Sequence, residues 1–441
     1  LRSIMKIKRR DFVKKTIATA ALASPFILTS KSHAASSLKV WKFGGTKRET
    51  EHWPVRNKIF SQRHNSINLN YQYFYGQIRR NKIMAGFQTR KLADIIIAFG
   101  QDIPEFEGFG MIQSISAIDK SAVSSMKKKI IPEIWETGMH NNELYGIPTY
   151  VDMFSFITYN KKAFDEAGIK EPPKNWEELR ETARKLTKPG RPGIAFPATT
   201  TVLDGTLWEG IAYANGGRIF DENSNKVTLN DKGCVDALQL YVDLIKDGST
   251  PEPGVMLENK FAGIGNQFIA GNYAMAVMPS FSYVPWAFDR KNEFSDFLFP
   301  RPNRASGSFE PVATLMDPTA CLMVNSRSKN YEEIMKYLKF WTEDEQLQFW
   351  GTKEMARIPA SKKAWKSKEM SDLWPSRVAS YNDGTLFSGS TPAPRFIGVS
   401  QVEQYMRVAI QKAVGGKMSA SDALNEANAN ASKQMDILLG D

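Results

Sequence analysis

The chain has 441 residues, of which 42% are hydrophobic, 11% aromatic and 24% charged. That apolar content can offset the entropy of ordering a backbone, so a disordered or low-complexity chain is excluded and two or three globular domains are expected. The net charge of +11 argues little for a nucleic-acid partner, because residues 1–34 hold eight basic side chains and one acid and the other 407 residues carry only +4.

Residues 5–34 read as a signal peptide. Met5 to Lys15 is basic, Thr16–Thr29 is a short apolar run, and Ser32-His33-Ala34 before Ala35 resembles a small-residue cleavage site. Met5 is the expected start. Lys8-Arg9-Arg10-Asp11-Phe12-Val13-Lys14 resembles the twin-arginine export pattern, with Lys8 and Val13 as departures that keep the general secretory route open. No cysteine follows the apolar run, so a lipid anchor is not expected. The expected compartment is the periplasm. Cys234 and Cys321 could pair in such an oxidising space, or stay as two buried thiols.

After the leader, Leu38–Phe43 alternates and ends at Gly44-Gly45, which predicts a first strand and its turn. A helix over Glu49–Arg63, a strand over Ile67–Phe74 and helical text over Ile78–Arg90 follow. Ala93–Phe99 is a continuous apolar run of the kind buried on both faces of a parallel sheet. A second such region begins near Thr149, with a strand over Phe154–Tyr159 and a helix that Asn175 caps. Helices over Leu203–Ala214, Asp231–Ile245 and Lys260–Ala270 precede a strand over Tyr273–Met278, and Tyr331–Trp350, Val402–Gly415 and Ser419–Leu438 read as late helices. The order predicts two α/β lobes on one continuous chain, without internal repeats.

Several segments resemble the family 1 extracellular solute-binding proteins, the receptors of sugar ABC importers. They are Leu144-Tyr145-Gly146-Ile147-Pro148-Thr149-Tyr150, Tyr159-Asn160-Lys161 through Ala167-Gly168-Ile169, Pro172–Leu179, Asn215-Gly216-Gly217, Phe268–Met275, Trp341–Leu347 and Gly416–Leu424. The resemblance implies a two-lobed α/β fold with three hinge crossings, expected near 147–153, 277–283 and 320–328. The N-terminal lobe is then 38–148 plus 281–322, and the C-terminal lobe 149–280 plus 323–441. It also implies a cleft that closes on a small solute, permease subunits as partners, a monomer and no cofactor.

Sugar recognition needs rings that stack on C–H faces and planar polar groups that bond hydroxyls. Asp152 stands where the family has a sugar-binding acid, beside Tyr150; a hinge salt bridge is the structural alternative. Gly44, Gly45 and Thr46 end the first strand, and Phe99 and Gln101 end the third, at the carboxyl edge where open α/β sheets take ligands. Trp208 and Glu209 precede the Gly216-Gly217 corner. Ser280, Phe281 and Tyr283 follow the Met278 strand, with Phe281 where the family has a stacking Trp; Trp286 could substitute. Asp317 and Arg395 lie in loops. A polyamine or a glycerol phosphate is an alternative ligand class, and a polysaccharide-processing enzyme an alternative activity. Other chemistries fail: His52, His64 and His140 lack metal spacing, Gly263-Ile-Gly265 follows no strand, and no P-loop or nucleophile elbow is present.

Overall fold

The computed structural model describes residues 36–44, 47–74, 79–282, 290, 293–352, 354–355 and 357–439. The expected signal peptide, Gly45, Thr46, Tyr283 and Trp286 lie outside the described residues. Three sheets organise the chain. In the first, Ser36–Phe43 pairs in parallel with Ile67–Phe74 and Ile95–Ala98, and Cys321–Asn325 adds antiparallel on the far side. Ile95–Ala98 is central and buried throughout, as its unbroken apolar run predicts. The second sheet has the order Ile194–Ala195, Met275–Met278, Phe156–Asn160, Phe294–Leu298.

The third sheet is small and sits where the lobes join. Tyr150–Met153 lies between Ile358–Pro359 and Leu315–Asp317, and Thr391–Pro392 completes it. The chain thus passes from the first sheet at Gly146–Pro148, through the hinge at Tyr150–Met153, into the second at Phe156–Asn160.

This pairing divides the chain differently from the expected boundaries. Phe294–Leu298 belongs to the second sheet, so the segment 281–322 does not go as a block with the N-terminal lobe. Met275–Met278 and Phe294–Leu298 flank the same strand, so the expected crossing near 277–283 does not carry the chain into the first sheet. Conversely, Cys321–Asn325 and the helix Tyr331–Trp341 build onto the first lobe, where Trp341 lies 4.0 Å from Trp53 between ring centroids. The expected helix Tyr331–Trp350 is two helices, Tyr331–Trp341 and Asp344–Phe349, and it supplies core: Trp341 and Trp350 stack at 5.9 Å. Strand pairing is long-range, and hydrophobic periodicity carries no information about which sheet a strand joins.

Local signals act as expected. Asn175 Oδ1 accepts from the Glu178 amide at 2.8 Å and starts the helix Trp176–Leu186, whose buried face is Trp176, Leu179, Ala183 and Leu186. Asp231 caps Lys232–Lys246 in the same way. At the corner after Val202–Ala214, Gly216 has φ +74°, and a Cβ there would stand 2.6 Å from the Phe309 carbonyl oxygen. Only glycine suits both demands.

Cys234 and Cys321 are free and buried in different cores, Cys234 against the second sheet and Cys321 in the first. Burial pushes both thiols well up from their ordinary range. A thiol-specific reagent should therefore titrate no cysteine in the native protein and two after denaturation, and reductant should leave the melting temperature unchanged. Two thiols reacting before unfolding would contradict this arrangement.

Candidate functional site

The hinge holds a buried ionic network. Arg357 Nη1 donates to Asp152 Oδ1 at 2.7 Å, and Nη2 donates to Glu49 Oε1 at 3.0 Å. Lys42 Nζ lies 3.7 Å from Glu49 Oε2 and donates to the carbonyls of Phe43 and Thr319. Tyr150 donates to Glu49 at 2.5 Å, and the Thr319 hydroxyl lies within hydrogen-bonding distance of both Tyr150 and Asp152. Two cations face two carboxylates, all with side chains at most 3% exposed. Burial brings Lys42 down to about 8, against the opposing pull of Glu49. Asp152 therefore spends both oxygens inside the protein, in the hinge salt bridge that its apolar neighbourhood demanded. Tyr150 is buried in the same network.

Next to it, Asp317 pairs across the hinge strands with Asp152 and accepts from the Gln101 amide at 3.3 Å. Burial first, then the charge of Asp102, pushes Asp317 up to about 7. Gln101 and Asp102 open onto a cavity of about 350 Å³ between the lobes. Arg79, Arg80 and Glu105 line it from the first lobe, and Val202, Ser400, Glu403 and Arg407 from the second. Arg79 pairs with Asp102 at 2.7 Å, Arg80 with Glu105, and Arg407 with Glu403 at 3.1 Å. Arg80 also donates to Ser400 at 2.5 Å, which bridges the lobes.

Glu209 lies behind this cavity, wholly buried, and neither of its oxygens has a hydrogen-bond partner among the described residues. Burial, reinforced by the Glu403 charge and opposed by Arg407, raises it well above the carboxylate range. Burial therefore favours its protonated form, which can donate as well as accept. Room for the Arg407 stem comes from Gly205, where a Cβ would meet Arg407 Cγ at 2.8 Å.

The expected residues divide accordingly. Gln101 lines the cavity, whereas Asp317 reaches it only through the Gln101 amide and Glu209 only through the charges of Glu403 and Arg407. Phe99 lies near it, with the Arg79 guanidinium 3.7 Å from its ring centroid, and a Cβ on Gly44 would touch that ring at 3.1 Å. Trp208 points instead into the second core, because a neighbour on a helix turns by 100°. Ser280 clamps the hinge: its hydroxyl accepts from the Met153 amide at 3.0 Å. Phe281 stacks under Arg357, 4.5 Å away. Arg395 donates to the carbonyls of Thr137 and Glu136, across the seam from the cavity. The residues that the sequence did not flag are Arg79, Arg80, Glu105, Glu403 and Arg407. Glu403 and Arg407 stand four apart on a helix, a spacing that usually marks a solvated surface pair.

A charged cavity between two α/β lobes that a small hinge sheet joins is the architecture of a two-lobed binding protein. Residues 46–348 match the family model for the bacterial extracellular solute-binding proteins, and the chain belongs to that family. A solute-binding protein of Thermotoga lettingae, solved with α-D-tagatose, superimposes with a TM-score of 0.74 at 22% identity over 91% of this chain and 100% of that one. The sn-glycerol-3-phosphate-binding periplasmic protein of Brucella melitensis is 20% identical over 94% of this chain and 96% of its own length. A binding protein of Brucella abortus is 24% identical over 64% of this chain; the match spans 66% of that relative's length. No helix among the described residues is long and apolar enough to cross a membrane, and no cluster there could hold a metal ion.

Two outcomes are expected at the hinge. Arg357→Met leaves Glu49 and Asp152 buried without their cation and should cost about 3–5 kcal/mol in urea unfolding, partly recovered by adding Asp152→Asn. For Asp317, the folded state holds a proton that the unfolded chain releases between about pH 4 and about pH 7. Stability should fall as pH rises through that window, and Asp317→Asn should flatten the slope. An unchanged slope in Asp317→Asn would contradict the assignment.

Proposed function

We propose that this protein is the extracytoplasmic receptor of an ABC importer, capturing a small, compact polyhydroxylated solute between its lobes and delivering it to permease subunits. The observation that carries the reading is the cavity of about 350 Å³, walled from both lobes by ion-paired side chains. Its volume is at the small end of ligand pockets, roughly 300–1,000 Å³. Carboxylates and guanidinium groups give charge-assisted hydrogen bonds, suited to hydroxyls at several angles. Among the described residues no Trp or Tyr lines this cavity, and Arg79 covers the Phe99 ring. That favours a monosaccharide or sugar alcohol over a glucan chain, which needs stacking platforms.

Binding supplies the function. A solute that contacts both walls has differential affinity for the closed state, so it shifts the lobe equilibrium without covalent chemistry. The protein acts as a monomer in the periplasm, exported by its leader, and holds no cofactor.

The test is thermal unfolding against hexoses, pentoses, sugar alcohols and disaccharides. A ligand at 100 times its dissociation constant adds about 2.7 kcal/mol. One group of neutral solutes should raise the melting temperature by a few degrees, saturably, with the solute recovered unchanged. Glu403→Gln should weaken that binding at least tenfold. A panel without any response, or a solute consumed during the assay, would overturn the reading.

A further inference from the structure

A second cavity, of about 380 Å³, opens in the second lobe between Tyr213–Asn223, Phe309 and the segment Thr391–Phe396. Two arginines line it. Arg218 lies 4.4 Å from the Tyr213 ring centroid and 5.7 Å from that of Phe309. Its Nη1 donates to the Gly217 carbonyl and its Nη2 to the Glu310 carbonyl, both at 2.6 Å. Arg395 donates to the carbonyls of Thr137 at 3.0 Å and Glu136 at 3.2 Å. Among the described residues, every hydrogen bond of these two side chains ends on a backbone carbonyl, and neither has a carboxylate within 4.0 Å.

Carbonyl oxygens satisfy N–H groups without cancelling a positive charge. Both guanidinium groups are partly desolvated, and burial is the main cause that lowers their proton affinity. The two acids lining the cavity do not neutralise them. Asp221 is engaged by the Asn223 amide at 3.0 Å and the Ser224 hydroxyl at 2.6 Å. Glu222 is exposed and acts on Arg395 only at a distance. Several other buried or half-buried arginines have a carboxylate: Arg357 has two, and Arg79, Arg377 and Arg407 one each; half-buried Arg191 is an exception, away from this cavity. Arg218 and Arg395 share one cavity and lack that partner.

We propose that this second cavity is an anion-binding site, taking the carboxylate or phosphate group of a small solute between Arg218 and Arg395. Guanidinium forks match both groups, and pairing relieves two desolvated charges at once. The Phe220 and Phe396 rings, stacked at 4.1 Å, line the cavity as apolar contacts for the solute's remaining atoms. The site is distinct from the cavity between the lobes and does not rest on the polyol reading. The segment from Thr391 to Arg407 lines both cavities, so they are neighbours.

Calorimetric titration of the purified protein with sodium phosphate and with sodium gluconate tests the site. Saturable binding of either anion that weakens with added chloride is expected. A response to phosphate alone assigns phosphate, and a response to gluconate alone assigns carboxylate. Arg218→Gln and Arg395→Gln should each weaken it at least tenfold, with folding of each variant checked by circular dichroism. Should both variants fail to fold, Glu222→Gln decides: loss of an exposed negative charge beside Arg395 should tighten anion binding about twofold. Glu403→Gln should leave anion binding unchanged while weakening neutral-solute capture, so the two sites fail separately. The proposal is overturned by an absence of binding with both anions, by equal affinity in both arginine variants, or by unchanged affinity in Glu222→Gln.

Discussion

The joint between the lobes depends on neutralising four charges that have almost no access to water. Lys42 and Glu49 come from the first strand and the helix after it, Asp152 from the central hinge strand, and Arg357 from the segment leading into an edge strand of the hinge sheet. Desolvating ions costs several kcal/mol each, so the arrangement holds only if all four meet in one place. That requirement fixes where the first lobe's strand end, the hinge and the late segment sit relative to one another. Thr319 and Tyr150 complete the network with hydroxyls and leave Asp152 no free oxygen.

From this anchor the cavity between the lobes follows. Asp317 is paired with Asp152 across the hinge strands, and its carboxylate holds the Gln101 amide at the end of the first lobe's third strand. Gln101 and Asp102 thereby face the helix Val399–Val414 of the second lobe, which brings Glu403 and Arg407. Its described walls are joined by salt bridges rather than by stacked rings. Behind the second wall lies Glu209, a buried acid without a hydrogen-bond partner among the described residues, whose protonated form burial favours.

Much of this was legible in the sequence. Alternation over Leu38–Phe43 marked the strand Ser36–Phe43, the apolar run Ala93–Phe99 marked the strand Ile95–Ala98, and Asn175 and Asp231 marked helix starts. Ordered short segments pointed to the solute-binding family, and the strand ends pointed to Gln101. The departures have one cause. Phe294–Leu298 reads like any half-buried strand, and nothing local assigns it to the second sheet. Trp208 and Glu209 are adjacent in sequence but point in different directions, into core and toward Glu403.

The sequence by itself determined most of the elements, the near-neutral charge of residues 35–441 and the family, because propensity, periodicity and capping act within a few residues. Only the tertiary structure decided which charges neutralise which. Glu49 and Arg357 are 308 positions apart, and so is their pairing from any local pattern. It also decided that Asp152 closes a hinge while Glu403 and Arg407 line a cavity. The cost of burying a charge depends on what surrounds it in space, and that surrounding exists only once the chain has folded.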